Sequence, residues 1–255
     1  MRPDHQAIVH RLEPRTVKVW LCGDVHVGSE GCDLHGFERF LDRVMEDDDA
    51  FVVFVGDLMD NATRNSKSDL WQGMSPSEQM DYIAKVLTPL AKAGKILALV
   101  AGNHELRTAR ETDIEPLYTV AVRLGIENVY RRDFAAIRIQ FGEFVKIRKA
   151  YNILAFHGAS DFKTRQMMNN IEGFDALVTG HTHQPVTRMP AHLCLTQKGM
   201  VALKEVIQVT ACSWCDYQGY GARGMYQPQV QSRPQCLILE WANSQHVPKR
   251  ISVSW

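Results

Sequence analysis

The chain has 255 residues, of which 45% are hydrophobic and 23% charged, and its 29 basic and 29 acidic residues cancel to a net charge of zero. The composition is typical of a globular protein, and a dedicated nucleic-acid binder would carry a basic excess. Residues 1–11 lack an apolar core and the longest apolar runs are short, so we expect neither a signal peptide nor a membrane segment. Six cysteines without a secretion signal predict reduced thiols and a cytoplasmic location.

Five short apolar runs follow one another along the first 180 residues, and each ends abruptly in Gly, Asp or His. They cover residues 16–22, 51–55, 96–101, 153–156 and 176–179. Continuous apolar runs of this length are typical of strands that are buried on both faces. Ligands bind at the C-terminal ends of strands in α/β sheets, so the polar residues after these runs are expected to meet at one end of the core.

Helices are predicted between these strands, at residues 36–45, 76–93, 115–124 and 162–170. The second has the strongest signals, because Ser75 and Glu78 form a capping-box pattern and Pro76 occupies the first helical position. Its apolar side chains form one stripe that is expected to pack onto a sheet.

Alternating patterns later in the chain predict further strands, at residues 134–141, 143–150, 203–210, 235–241 and 250–255. We infer an α/β (α+β) fold in which a second mixed sheet packs against the first and helices cover both, giving a four-layer αββα sandwich. The β-rich part at residues 190–255 is expected to complete the second sheet. Because the polar strand ends must converge on one site, residues 1–255 are expected to form a single domain.

Five motifs stand at the predicted strand ends, and they offer oxygen and imidazole donors but no cysteine. In chain order they are Gly23-Asp24-Val25-His26, Gly56-Asp57-Leu58-Met59-Asp60, Gly102-Asn103-His104-Glu105, Phe156-His157-Gly158 and Gly180-His181-Thr182-His183. Such donors suit a pair of divalent ions better than a structural zinc site, which tends to use thiolates. Asp24 and His26, two apart at a strand end, can hold one ion, and Asp57 can bridge to a second. A two-ion site is suited to in-line displacement at phosphorus.

These motifs, in this order, closely resemble those of the calcineurin-like metallophosphoesterases, a family that includes double-strand-break repair nucleases and cyclic-nucleotide phosphodiesterases. The resemblance covers residues 24–183 and implies two mixed sheets flanked by helices. It implies a first metal held by Asp24, His26, Asp57 and His183, and a second held by Asp57, Asn103, His157 and His181. It also implies catalytic roles for Asp57, which orients a metal-bridging hydroxide, and for His104, which protonates the leaving oxygen. The alternative for His104 is a residue that only orients the site.

A binuclear metal-dependent phosphoesterase is therefore expected, with manganese as the favoured metal and iron, zinc or nickel as alternatives. A phosphodiesterase acting on nucleotides or nucleic acid is favoured over a phosphomonoesterase acting on phosphoproteins or small molecules. The reason is an irregular aromatic segment, residues 213–234, in which Trp214, Tyr217 and Tyr220 could stack on a base. The alternative is a surface loop that folds on its own aromatic side chains. A non-catalytic metal-binding scaffold is the alternative of another class, and the sequence does not reveal the oligomeric state.

Substrate contacts are predicted for three polar residues that follow the second and third motifs. Asn61, Arg64 and Arg107 lie on the expected sheet edge, where they could hold phosphate oxygens. For the arginines, an exposed salt bridge is an equally good explanation. A basic stretch at residues 131–149 could follow a nucleic-acid backbone, although a solvated strand face explains it equally well.

Overall fold

The fold was taken from a computed structural model. It describes residues 5–13, 15–64, 66, 70, 73–142, 150–195, 199–216, 233–241 and 249–255. The α-helices of the described residues are α1 (Leu34–Glu46), α2 (Pro76–Lys92), α3 (Glu105–Thr112), α4 (Pro116–Leu124) and α5 (Asp161–Met168). Within the same residues, no helix is both long and apolar enough to cross a bilayer.

The strands carry the bounds β1 (Ile8–Leu12), β2 (Val17–Cys22), β3 (Ala50–Val55), β4 (Ile96–Val100), β5 (Tyr130–Arg131), β6 (Phe134–Phe141), β7 (Ala150–Phe156), β8 (Ala176–Thr179), β9 (Val186–Arg188), β10 (Ala191–Leu195), β11 (Val201–Glu205), β12 (Ile207–Thr210), β13 (Cys236–Glu240) and β14 (Arg250–Ser254). All five apolar runs of the sequence are strands, as predicted. The second strand of the predicted hairpin, residues 143–150, lies almost entirely outside the described residues.

Two six-stranded mixed sheets form the centre of the molecule. The first has the order β14-β13-β2-β3-β4-β5 and the second has the order β1-β6-β7-β8-β12-β9. In the first sheet β2, β3, β4 and β5 run parallel while β13 runs antiparallel to β2. In the second, β7, β8 and β12 run parallel, β6 runs antiparallel to β7 but parallel to β1, and β9 runs antiparallel to β12.

One continuous hydrophobic core joins the two sheets and the helices outside them. Every residue of β3 and β4 is buried, as expected for strands covered on both faces. The core includes apolar side chains of α1, α2 and α4 together with those of β6 and β7. A smaller cluster packs Met168 of α5 against Leu154 and Leu177 of the second sheet. The predicted αββα sandwich is therefore confirmed.

Local sequence signals determine where the main helices begin. At the start of α2, Ser75 Oγ accepts a hydrogen bond from the Glu78 amide, and the Glu78 carboxylate accepts one from the Ser75 amide. This is the predicted capping box. At the start of α1, Asp33 Oδ1 accepts a 2.8 Å hydrogen bond from the amide of Gly36.

The strands after residue 190 divide between the sheets, which corrects the expectation that this part completes the second sheet. Strand β12 joins the second sheet, whereas β13 and β14 join the first, because β13 pairs with the edge of β2 and buries Leu237 beside Val19. The remaining strands, β10 and β11, form a separate two-stranded sheet, and neither pairs with another strand of the described residues. Leu193 and Leu203, which face each other in that hairpin, are exposed.

Candidate metal centre

The seven predicted metal ligands lie on five loops, each directly after a strand. Asp24 and His26 follow β2, Asp57 follows β3 and Asn103 follows β4, all in the first sheet. From the second sheet, loops after β7 and β8 contribute three histidines, His157, His181 and His183. The strand ends of both sheets thus face one site, as expected for the C-terminal edge of α/β sheets.

One cluster of donor atoms is formed by Asp24, His26 and His183, whose ligand atoms lie within 4.8 Å of one another. The two Nε2 atoms of His26 and His183 are 3.1 Å apart. Nε2 of His183 is 3.2 Å from Oδ1 of Asp24. These atoms converge on one point from segments 157 residues apart in the chain. A group of this kind can hold a metal ion.

A second cluster is formed by Asp57, His157 and His181, with Asn103 beside it. Nε2 of His157 lies 3.1 Å from Oδ2 of Asp57 and 3.0 Å from Oδ1 of Asn103. Nδ1 of His181 lies 3.3 Å from the same Nε2 atom. On its other side, Nδ1 of His157 lies 2.7 Å from the carbonyl oxygen of Val55. A proton on Nδ1 donated to this carbonyl would leave the Nε2 lone pair free for a metal.

Asp57 stands between the two clusters. Its Oδ2 atom is 3.1 Å from Nε2 of His157 in one cluster and 3.9 Å from Nε2 of His26 in the other. Its Oδ1 atom accepts a 2.8 Å hydrogen bond from the backbone amide of His104. One carboxylate oxygen is therefore held by the protein, and the other adjoins both groups of donors.

The backbone at these positions adopts a conformation that L-residues rarely take. Five of the seven predicted ligands have positive φ: Asp24 (51°), His26 (53°), Asp57 (52°), His181 (70°) and His183 (57°). A left-handed backbone conformation at residues other than glycine costs free energy. Such conformations are found most often at functional sites, where the surrounding structure enforces them. The strain supports a functional role for these five positions independently of their chemistry.

The charges of the centre are strongly coupled. Burial raises the pKa of the Asp57 carboxyl, but the neighbouring His104 and His157 outweigh it and hold that pKa well below its usual range. Burial lowers the pKa of His157, whereas the charge of Asp57 and its hydrogen bond raise it to about 10. Asp57 is thus an ionised, buried carboxylate that requires positive charge beside it, which a proton on His157 or a metal cation can supply.

Glu105 is a further residue of the site, and the sequence predicted no role for it. Its buried carboxylate accepts hydrogen bonds from the backbone amides of Asp57 (3.0 Å), Met59 (3.1 Å) and Gly102 (2.8 Å). Burial, followed by the charge of Asp57, raises its pKa. The carboxylate ties the second motif loop to the third. The available signal was its place in the third motif, directly after Asn103 and His104.

His104 lies beside both clusters and is enclosed by hydrogen-bonding groups. Its Nδ1 is 2.8 Å from the carbonyl oxygen of Asp60, and its Nε2 is 3.6 Å from Oδ2 of Asp57. Burial lowers its pKa, but Asp57 and Asp60 raise it above the usual value. The guanidinium of Arg107 donates to Nε2 at 2.8 Å, which favours the neutral ring. The ring therefore carries no proton on Nε2 in this arrangement, because a guanidinium cannot accept a hydrogen bond from a protonated ring.

The three predicted substrate-binding residues occupy different environments. Asn61 is buried, and its amide donates to the carbonyl of His104 at 2.7 Å while its oxygen accepts from Thr108 at 3.0 Å. These contacts use the side chain to join two loops and do not support its predicted contact with substrate, which stays a prediction. Arg107 contacts His104 and also donates to the carbonyl of Asp60 at 3.3 Å. Arg64 is exposed, and its contact with substrate stays a prediction.

Trp214 does not present its ring for stacking on a base, which corrects another expectation. It is 5% exposed, and its ring packs 5.6 Å from that of Phe37 and 5.3 Å from that of Phe40, both on α1. The tyrosines of the same aromatic segment, Tyr217, Tyr220 and Tyr226, lie outside the described residues. The same is true of residues 143–149 of the basic stretch.

Comparison with known families gives one match that covers most of the chain. The profile of the calcineurin-like phosphoesterases matches residues 17–185, which contain all five motifs. No curated protein matches the sequence.

Among solved structures, the chain is similar to proteins of low sequence identity. Vacuolar protein sorting 29 from Cryptosporidium parvum is 13% identical, with a TM-score of 0.42 and coverage of 94% of this chain and 97% of that one. The same protein from Entamoeba histolytica, complexed with zinc, is 14% identical, with a TM-score of 0.41 and coverage of 93% and 98%. The calcineurin-like phosphoesterase YfkN from Bacillus subtilis is 12% identical, with a TM-score of 0.41 and coverage of 94% and 90%.

Proposed function

Because this chain belongs to the calcineurin-like phosphoesterase family, we propose that it is a hydrolase of phosphoesters that works with two divalent metal ions. The observation that carries the proposal is the position of Asp57 between two groups of donors. Its Oδ2 atom lies within 4 Å of an imidazole nitrogen in each group. A carboxylate shared in this way is suited to a two-ion site.

The chemistry of the donors fits the proposed ions. Oxygen and imidazole donors accept manganese, iron, zinc and nickel, and we propose manganese as the first to test. Our assignment gives Asp24, His26, Asp57 and His183 to one ion, and Asp57, Asn103, His157 and His181 to the other. Such ions, when bound, supply positive charge to a phosphate and lower the pKa of a water molecule.

His104 is the proposed acid for the departing oxygen. Its ring is fixed through Nδ1 by the carbonyl of Asp60, so Nε2 is the atom that would deliver a proton. In the structure Arg107 donates to that same atom. A phosphate group offers the guanidinium a stronger partner than a neutral imidazole does. We propose that substrate draws Arg107 away from His104, so that Arg107 contacts phosphate and the released Nε2 takes up a proton from solvent, which it then passes to the departing oxygen.

We further propose that the ester bond hydrolysed by this protein is a phosphodiester in a nucleotide or nucleic acid. Since Trp214 is buried, it no longer supports this proposal, and the tyrosines of the same segment lie outside the described residues. Monoester hydrolysis is the competing proposal within the same reaction class. Cleavage of matched diester and monoester substrates decides between them.

The test is manganese-dependent hydrolysis of bis(p-nitrophenyl) phosphate and p-nitrophenyl phosphate. We expect Asp57→Asn to abolish activity and His104→Ala to lower kcat by about 10²- to 10⁴-fold, the usual contribution of an acid–base group. His192→Ala is the control, because His192 lies on the exposed β10–β11 hairpin and should leave kcat unchanged. Metal uptake without hydrolysis of either ester would contradict the proposal and favour the non-catalytic scaffold.

A further inference from the structure

A small polar cavity lies beside the metal centre, between helix α5, the edge strand β9 and the neighbouring strand β12. Its lining includes Thr164 and Arg165 of α5, Thr182 of the last motif, and Arg188 and Gln208 of the strands. Its volume is about 50 Å³. A water molecule needs roughly 10–15 Å³ of such space, so the cavity has room for a group of about three to five heavy atoms, close to the size of a phosphate.

The sheet directs an unsatisfied donor into this cavity. Gln208 of β12 is paired with Arg188 of β9, so the two side chains lie on the same face of the sheet, towards α5. Gln208 is only 6% exposed, and its Nε2 has no hydrogen-bond partner within the described residues. A buried amide donor without a partner is unfavourable, so a ligand oxygen that accepts its hydrogen bond would be bound favourably.

The cavity also carries positive charge. Arg165 is ion-paired with Asp161 on the same helix, so these two lining charges cancel. Arg188 forms no ion pair with any residue that the structure describes, so no acidic side chain among them neutralises its positive charge. A guanidinium and an amide donor together are suited to anionic oxygens, above all those of phosphate.

The cavity adjoins the side from which substrate can reach the centre. Thr182, in its wall, stands between the predicted ligands His181 and His183. The side chain of His183 is 24% exposed, whereas those of Asp57 and His26 are almost fully buried. The centre is therefore more open at the last motif, where the cavity lies.

We infer that this cavity is a second phosphate site, which binds a phosphate group of the substrate other than the one being hydrolysed. The inference rests on the proposed function for its role in the reaction, but anion binding by the cavity does not require hydrolysis. It implies that substrates with two phosphate groups, such as a nucleotide with phosphates on both sides of the sugar, are preferred over substrates with one.

The first experiment measures inorganic phosphate binding by calorimetry, with the protein kept in EDTA so that no metal contributes. We expect Arg188→Met and Gln208→Glu each to weaken binding about tenfold or more, through loss of a charge-assisted contact and introduction of a like charge. Arg188→Lys should retain part of the affinity. Arg123→Met is the matched control, because Arg123 pairs with Asp81 at a distance from the cavity. Equal phosphate affinity in the wild type and Arg188→Met, or no binding by the wild type, would overturn the inference.

The second experiment tests the role in catalysis with thymidine 5′-(p-nitrophenyl phosphate), with and without a 3′-phosphate. We expect the 3′-phosphate to lower KM in the wild type and in Arg123→Met, but not in Arg188→Met. If Arg188→Met changed KM, relative to the wild type, by the same factor for the substrates with and without the 3′-phosphate, the cavity would have no role in binding a second phosphate of the substrate. If neither substrate is hydrolysed while phosphate binding depends on Arg188, the proposed function fails and the anion site stands.

Discussion

Glu105 organises the site although it belongs to neither group of metal donors. Its carboxylate receives three backbone amides, two from the loop of Asp57 and one from the loop of Asn103. The positions of these ligands therefore depend on a side chain that has no direct role in the proposed chemistry. Support of this kind decides how accurately a site is held in its functional geometry.

Glu105→Gln tests this role with almost no change of volume. The amide has a single acceptor oxygen, so at least one of the three backbone donors loses its partner. We expect the free energy of unfolding in urea to fall by about 1–3 kcal/mol, and manganese to bind more weakly. Glu127→Gln, an exposed change, should stay within about 0.5 kcal/mol of the wild type. Unchanged stability and metal affinity in Glu105→Gln would contradict the role.

At the scale of single residues, the sequence predicts those site residues whose role depends on a local pattern. The donor residues could be identified because each follows a short apolar strand and belongs to a recognisable motif. The contacts of Asn61 and Trp214 were not predicted because distant segments determine their partners. The amide of Asn61 meets residues 43 to 47 positions away. Trp214 packs on Phe37 and Phe40, and no local signal in the sequence marks either contact.

The segment that follows β12 is fixed against α1 and the first motif loop. Trp214 packs its ring on α1, its amide donates to the carbonyl of Asp24 at 3.1 Å, and its carbonyl accepts from the amide of Asp33 at 2.8 Å. The loop that carries Asp24 is thereby held by a residue whose large side chain is buried against α1.

Trp214→Ala should therefore damage stability as well as any binding. Removal of a buried Trp ring leaves a cavity and typically costs about 3–5 kcal/mol, which thermal or urea unfolding would detect. Trp255→Ala is the matched control, since Trp255 is 57% exposed and follows β14. A Trp214→Ala variant as stable as the wild type, but weaker in nucleotide binding, would restore the stacking hypothesis.

An ion pair between Lys18 of β2 and Asp47 after α1 gives stability a predictable dependence on pH. The Lys18 ammonium donates to Asp47 at 2.7 Å. This hydrogen bond raises the pKa of Lys18 and lowers that of Asp47. The contribution of Asp47 is present above its unfolded pKa and is lost as the pH falls through the lowered folded value. That of Lys18 is present below its unfolded pKa and is lost as the pH rises through the raised folded value.

Lys18→Met should accordingly be less stable than the wild type only between roughly pH 4 and pH 10, the unfolded pKa values of Asp and Lys. Because both side chains are partly exposed, we expect a difference of at most about 1 kcal/mol. Urea unfolding of the two proteins across this range measures it, with Lys85→Met on the exposed face of α2 as control. A difference that persists unchanged at pH 2 would exclude the ion pair as its cause.

At the scale of elements, buried strands and amphipathic helices were predictable, and polar or short elements were not. Helix α3, Glu105–Thr112, was missed because its sequence ELRTARET has no apolar stripe, and its buried side chains include the charged Glu105. Strands β5 and β9 have two and three residues, too few to show a period. The run predicted at 203–210 is two strands, since β11 pairs with β10 and β12 with β8.

For the whole molecule, metal binding is expected to be linked to folding. The donor atoms come from segments between Asp24 and His183, so the unfolded chain cannot bring them together. Manganese should therefore raise the melting temperature, by an amount equivalent to about 2.7 kcal/mol when its concentration is 100 times the Kd. Asp57→Asn should lose most of this metal-dependent increase, measured against each protein in EDTA. An equal increase in both proteins would show that manganese binds elsewhere.

The insertion of β13 beside β2 has a consequence for how the chain is made. Strand β2, Val17–Cys22, is synthesised long before Cys236–Glu240, which is one of its two neighbours in the sheet. Until synthesis passes residue 240, that edge of β2 carries unpaired amides and carbonyls, which are a template for pairing with other chains. The growing polypeptide is thus exposed to misassembly while the residues between these two strands are synthesised, and pairing with the later strand removes the hazard.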